Sequence, residues 1–110
     1  MALLKLKSKH IVVDDRNRII MGEGRMAILE NVEKAGSINQ AAKIMKMSYK
    51  AMWSKIKSTE KHLGITVVQT DRKEGSCLSA DGKALLDKYR QLKKECREAD
   101  DAIFARIFTK

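Results

Sequence analysis

Lys50, Lys55, Lys57 and Lys61, with Ser48 and Ser54 among them, fall in a stretch from Ser48 to Lys61 whose only acid is Glu60. At three- and four-residue spacings, Lys50, Ser54, Lys55, Lys57 and Lys61 share the outward face of a helix. Ammonium groups and hydroxyls in that pattern donate to the oxygens of a polyanion. Lysine can also reach the O6 and N7 acceptors of guanine in the major groove, and serine suits several bases. Ser48, Tyr49, Lys50, Ser54 and Lys55 occupy the leading half of the helix, where a groove-reading element carries its base contacts. Trp53 sits at core spacing with Met52, Ile56 and Leu63, and Tyr49 suits either core or contact.

Such a face needs a companion element to present it. Ser37 to Gly64 reads SINQAAKIMKMSYKAMWSKIKSTEKHLG, which predicts two short helices joined at Met47-Ser48. Ser37 and Ser48 have hydroxyls that can accept an orphan backbone N–H at a helix start. Ala41 and Ala42, with Ile44 and Met45, give the first of the two a small-residue face for close packing. Its opening turn, with Ser37, Asn39 and Gln40 and no acid, presents free N–H groups to a phosphate. Lys57 on the second helix and Arg72 and Lys73 farther on complete the expected backbone contacts, the last two flanked by Asp71 and Glu74. This is the pattern of a helix-turn-helix reader of duplex DNA.

The charge distribution agrees. The net charge is +9. Residues 43–73 hold eight lysines and arginines against two acids, whereas 1–42 hold seven against five and 74–110 eight against seven. Excess charge gathered on one element points to a polyanionic partner. Charged residues make up 34% of the 110 and apolar ones 44%, an ordinary globular composition.

Around this pair the remaining elements follow from local pattern. Leu4 and Leu6 alternate with Lys5 and Lys7, and Ile11-Val12-Val13 follows, so strands are expected here. Asp14 to Asn17 reads as a turn, and Arg18 to Met21 as a second extended piece closed by Gly22. A helix from Glu23 carries Met26, Ile28, Leu29, Val32 and Ala35 inward and stops at Gly36. Ile65 to Gln69 is β-branched and reads as a strand. Asp71 to Ser76 forms a hairpin tip, and Cys77-Leu78 returns. That hairpin is a wing. Ser79 caps a last helix over residues 79–108, about 45 Å long at 1.5 Å per residue. It overhangs a body whose radius of gyration should be about 13 Å. Leu85, Tyr89, Leu92, Cys96, Ala99 and Ile103 form a heptad-like seam along it, which calls for a partner helix.

The expected fold is mainly α with a small β component: a single winged helix-turn-helix domain over 1–110, with a long C-terminal dimerisation helix. It divides into N-terminal strands (1–21), a three-helix core (22–64, the helix-turn-helix at 37–63), a wing (65–78) and the dimerisation helix (79–108). No apolar run approaches the roughly 20 residues of a membrane span, and Lys5, Lys7 and Lys9 interrupt any secretory leader, so a cytoplasmic protein is expected. Cys77 and Cys96, with His10 and His62, are scattered and lack metal-ligand spacing, so no metal or cofactor is expected and the thiols read as reduced and partly buried. No glycine-rich phosphate loop or Ser/His/Asp constellation suggests an enzyme. A docking module for another protein would show an apolar face in place of the lysines, and a sequence-neutral nucleic-acid binder would show an aromatic platform.

At Ser48 to Trp53 (SYKAMW), preceded by Ser37 to Lys43 (SINQAAK), the chain resembles the DNA-binding domain of ModE-type molybdate-responsive regulators. More distantly it resembles the N-terminal winged helix of LysR-type regulators. Gly22-Glu23-Gly24-Arg25, Leu63-Gly64 and Leu78 to Gly82 also match. The resemblance covers nearly the whole chain. It implies a dimer formed through the last helix, an inverted-repeat operator, and base reading by Ser48, Tyr49, Lys50 and Ser54. Thr70 stands where relatives commonly carry an arginine, with Arg72 two residues on, and the wing is shorter than theirs. The molybdate-binding domain of ModE has no counterpart here, so no oxyanion site is carried over, and a separate sensor protein is a possible partner.

Overall fold

The computed structural model describes residues 3–71 and 75–109. Its elements run β1 (Val12–Val13), β2 (Ile19–Met21), α1 (Glu23–Ala35), α2 (Ile38–Ile44), α3 (Tyr49–Leu63), β3 (Val68–Asp71), β4 (Gly75–Leu78) and α4 (Ala80–Phe108).

Local chemistry sets the helix boundaries. Ser37, Ser48 and Ser79 stand in extended backbone before α2, α3 and α4, and each hydroxyl accepts the N–H three residues on, from Gln40, Ala51 and Gly82. Gly36 (φ 74°) and Gly64 (φ 69°) end α1 and α3 in the left-handed conformation, each N–H bonded to the carbonyl four residues back. Ser37 follows Gly36 directly, so the corner from α1 to α2 is very tight.

The core lies where α1, α2, α3, the base of the β3–β4 hairpin and the start of α4 meet. Val32, Ala41 and Met52 are fully enclosed, with Met21, Val67 and Leu86 nearly so. Ala41 and Ala42 have no bulk beyond Cβ, which lets α2 lie close against its neighbours. Thr59 on α3 is buried, and its hydroxyl donates to the Ile20 carbonyl at 3.0 Å, tying α3 to β2.

The hairpin is antiparallel, in register from Val68 opposite Leu78 to Asp71 opposite Gly75. The strand begins at Val68, not at Ile65 as the β-branched run suggested. Ile65 N–H bonds to the Glu60 carbonyl, Val67 N–H to the Glu60 carboxylate, and the Val67 carbonyl accepts from Ser79 N–H. The backbone of this connector is thus committed to α3 and α4, and laddering starts beyond it. Ser76 N–H donates to the Gly36 carbonyl at 2.8 Å, fastening β4 to the corner between α1 and α2.

At the other end, β1 pairs with β2 across the Asp14–Arg18 turn. Leu4 and Leu6 are exposed, and residues 3–10 form no strand. Alternation predicts extended chain, but a ladder needs a free edge. The three-residue β2 offers little, and β1 takes it. The segment instead leans on α4: Tyr89 Oη donates to the His10 carbonyl at 2.6 Å, and His10 Nε2 lies 2.9 Å from Asp100 Oδ2.

α4 has 29 residues, about 43 Å of helix. Principal extents of 58 × 31 × 21 Å and a radius of gyration of 16.7 Å reflect its overhang.

Candidate nucleic-acid interface

The turn between α2 and α3 fixes how α3 is presented. Lys46 takes φ 54° and Met47 N–H bonds back to the Ala42 carbonyl at 2.9 Å. Short polar residues and glycine enter the left-handed region more readily than lysine does, so the turn rests on the packing around it. Half-buried Met45 and Met47 supply that packing against the core.

From Ser48 onward, α3 buries a narrow stripe of Met52, Ile56 and Thr59. This stripe is narrower than the inward face the helical spacing predicts. Leu63 is exposed, Tyr49 is 50% exposed, and Trp53, read as core, is 37% exposed. The core position one turn on from Met52 belongs to Ile56, and the aromatic stripe falls on the flank. Tyr49 and Trp53 rings lie 6.2 Å apart between centroids and 11° from parallel.

Ser48, Lys50, Ser54, Lys55, Lys57 and Lys61 are all exposed. Among the described residues Lys50, Lys55 and Lys61 make no ion pair. Lys50, Ser54 and Lys61 line the centre of the outward face. Lys55 lies about 160° round the helix from Trp53, on the opposite flank. There it borders a cavity of about 350 Å³ beside Arg25, Met45 and Met47. Lys57 is already engaged: its Nζ is 2.9 Å from Glu60 Oε1 and 4.4 Å from the Trp53 ring centre. A phosphate contact from Lys57 therefore competes with two existing partners.

Glu60 is a structural residue that sequence reasoning passed over. Its other oxygen accepts the N–H groups of Val67 at 2.7 Å and Val68 at 3.1 Å. Burial pushes this carboxyl up, but hydrogen bonds from Lys57, Val67 and Val68 outweigh it and hold the group below its ordinary value. Thr59 was missed as well, since its partner on β2 is 39 residues away.

Ser37 is half-buried and its hydroxyl oxygen is occupied as a cap, leaving its proton to donate. Asn39 and Gln40 are exposed in the first turn of α2, which has no acid. Thr70 is exposed on β3. Arg72 and Lys73, the expected wing contacts, lie outside the described residues.

The seam on α4 divides. Tyr89 is 2% exposed and belongs to the core of its own chain, with Leu85 half-buried against it. Tyr89 is corrected from partner-facing to internal, because the first turns of α4 close the body formed by α1 and the hairpin; Leu85, half-buried, keeps part of its surface free. Leu92 and Ile103 are 41% and 49% exposed, Ala99 is exposed and Cys96 half-buried. Beyond them Phe104 and Phe108 stack at 4.8 Å, and Ile107 and Phe108 are each 60% exposed. Cys77 is a free thiol on the exposed side of β4, not the partly buried one expected, and Cys96 is also free.

The family profile described as "Bacterial regulatory helix-turn-helix protein, lysR family" matches residues 24–83, from α1 to the start of α4. The molybdenum transport protein ModE of Azotobacter vinelandii is 32% identical over 91 residues, covering 79% of this chain and 34% of that protein. The chain thus spans about a third of the length of this curated relative. The DNA-binding domain of CbnR, solved in complex with DNA, superposes with a TM-score of 0.64 at 23% identity, covering 79% of this chain and 99% of that one. The DNA-binding domain of BenM, solved with benA site 1 DNA, gives 0.61 at 16% identity, covering 81% and 98%. At those identities the two structures carry the fold.

Proposed function

The chain belongs to the lysR family of bacterial regulatory helix-turn-helix proteins, and from that footing we propose that it is a transcription regulator that binds duplex DNA with sequence preference as a homodimer. One observation carries the reading. A capped helix, held on a narrow buried stripe, leaves Lys50, Ser54 and Lys61 along the middle of its open face, with neither lysine paired to an acid among the described residues. An α-helix of that kind fits the major groove.

In this proposal Ser48, Tyr49, Lys50, Ser54 and Lys55 meet base edges. Ser37, Asn39, Gln40, Lys57, Arg72 and Lys73 meet phosphates. The dimer forms along the outer part of α4, through Leu92, Cys96, Ala99 and Ile103. The operator is then an inverted repeat whose half-sites are about 34 Å apart, one turn of duplex. The chain's likeness to ModE supports genes of molybdenum handling as targets, with the signal sensed elsewhere, in a further domain or a separate chain. The protein acts in the cytoplasm, where such DNA lies, and no helix among the described residues is long and apolar enough to cross a membrane.

Footprinting on promoter DNA tests the proposal. Two protected half-sites in inverted repeat are expected, with affinity falling steeply as salt rises. Lys50→Ala should relax preference at one base position by about tenfold, whereas Lys73→Ala should weaken all duplexes alike. Equal affinity for selected and random duplexes overturns the reading.

A further inference from the structure

We infer that Tyr49 and Trp53 form a rigid apolar edge that reads thymine methyl groups in the major groove, an inference that rests on the DNA-binding reading above. Trp53 is the one tryptophan of the chain. A buried tryptophan removes a large apolar area from water, yet this one remains 37% exposed, beside a tyrosine at 50%. Both lie on the helix proposed to enter DNA, and Tyr49 is its first residue, nearest the turn.

The pair is held in place before any partner arrives. Tyr49, Trp53 and Lys57 follow one another at four-residue spacing along one flank of α3. The two rings are 11° from parallel, and the Lys57 ammonium lies 4.4 Å from the indole centre while bonded to Glu60. Glu60 in turn is anchored to the backbone of Val67 and Val68. A surface fixed in this way loses little conformational freedom on binding.

Its geometry also selects the partner. Trp53 has the nearly parallel Tyr49 ring one turn before it, offset at 6.2 Å between centroids, and the Lys57 ammonium over its ring one turn after, 4.4 Å from the centre, so a base that stacks on the face Lys57 covers must displace that ammonium. Stacking on an unpaired base requires an open face. An edge suits a small apolar projection, and the thymine C5-methyl is the apolar group that the major groove displays.

The test begins with a duplex selected from a random library by the full chain. Thymines of that duplex are then replaced one at a time by deoxyuridine, which removes only the methyl, and affinity is measured by fluorescence anisotropy. One or two thymines in each half-site should each lose about three- to fivefold, the scale of one buried methyl group. In Trp53→Ala and Tyr49→Ala, checked for fold by circular dichroism, thymine and uracil duplexes should bind alike at those positions. Tyr49→Phe, which keeps the ring, should retain the thymine preference.

A duplex indifferent to uracil at every position overturns the inference, as does a uracil penalty that persists in both alanine variants. Loss of single-stranded oligothymidine binding as large as the loss on duplex also overturns it, in favour of base stacking. Failure of the unaltered chain to bind any duplex strikes at the DNA-binding reading itself and takes this inference with it.

Discussion

At the scale of single residues, Glu60 governs more than its position suggests. One carboxylate joins α3 to the connector before the wing, through Val67 and Val68, and also holds Lys57. Glu60→Ala leaves two backbone donors short of an acceptor and should cost about 2 kcal/mol. Glu60→Gln keeps an acceptor oxygen but loses the charge and should cost about 1 kcal/mol. Urea unfolding at neutral pH measures both. The folded protein holds this acid below its ordinary value of 4.5, so its contribution is fully present above pH 4.5 and fades as pH falls through the lowered folded value. The gap between the parent and Glu60→Gln should therefore narrow in acid. Neither the hold of Glu60 on Val67 and Val68 nor that of Thr59 on Ile20 was legible in the sequence, because tertiary contact sets these partners and no spacing rule links them. The serine caps were legible, since a hydroxyl and an N–H three residues on meet through local geometry alone. Trp53 was misread because an aromatic at helical spacing resembles core, and only the packing of Met52 and Ile56 shows where the buried stripe ends.

Among the elements, the starts of α1 and α4 show how context sets the sign of one substitution. Gly24 lies in the first turn of α1 with nothing within 4 Å of a would-be Cβ. Gly24→Ala should stabilise the protein by about 0.5–1 kcal/mol through helix propensity. Gly82, in the first turn of α4, would place its Cβ 2.2 Å from the Val67 carbonyl oxygen. Gly82→Ala should destabilise it by about 2 kcal/mol, since the connector must shift to make room. Thermal unfolding midpoints moving in opposite directions check the pair. All four helices were readable from period and caps. The strand at Leu4 to Lys7 was not, because a sequence shows which chain is extended but not which edge will receive it. The wing strand began late for a related reason: its first residues had already committed their hydrogen bonds to neighbouring helices.

For the whole molecule, α4 has two parts. Through Tyr89 it is built into the core of the body; from Leu92 onward it carries exposed apolar side chains, and polar contacts such as Asp100 with His10 and Lys93 with Glu23 tie it back. In the dimer proposed above, Leu92→Asp with Ile103→Asp should shift the sedimentation profile from dimer to monomer while leaving the cooperative unfolding of the body intact, because neither side chain sits in its core. The sequence displayed one continuous seam, and the break at Tyr89 appears only when the body is assembled, since a heptad stripe looks the same whether it meets its own chain or another. The hydrogen bond from Ser76 to the Gly36 carbonyl locks the wing to the corner that launches α2. That bond holds β4 of the hairpin and the start of α2 at one spacing. A duplex, whose groove width and stiffness vary with base sequence, must supply the bending that the fit demands, so flexible steps outside the contacted bases should also be selected.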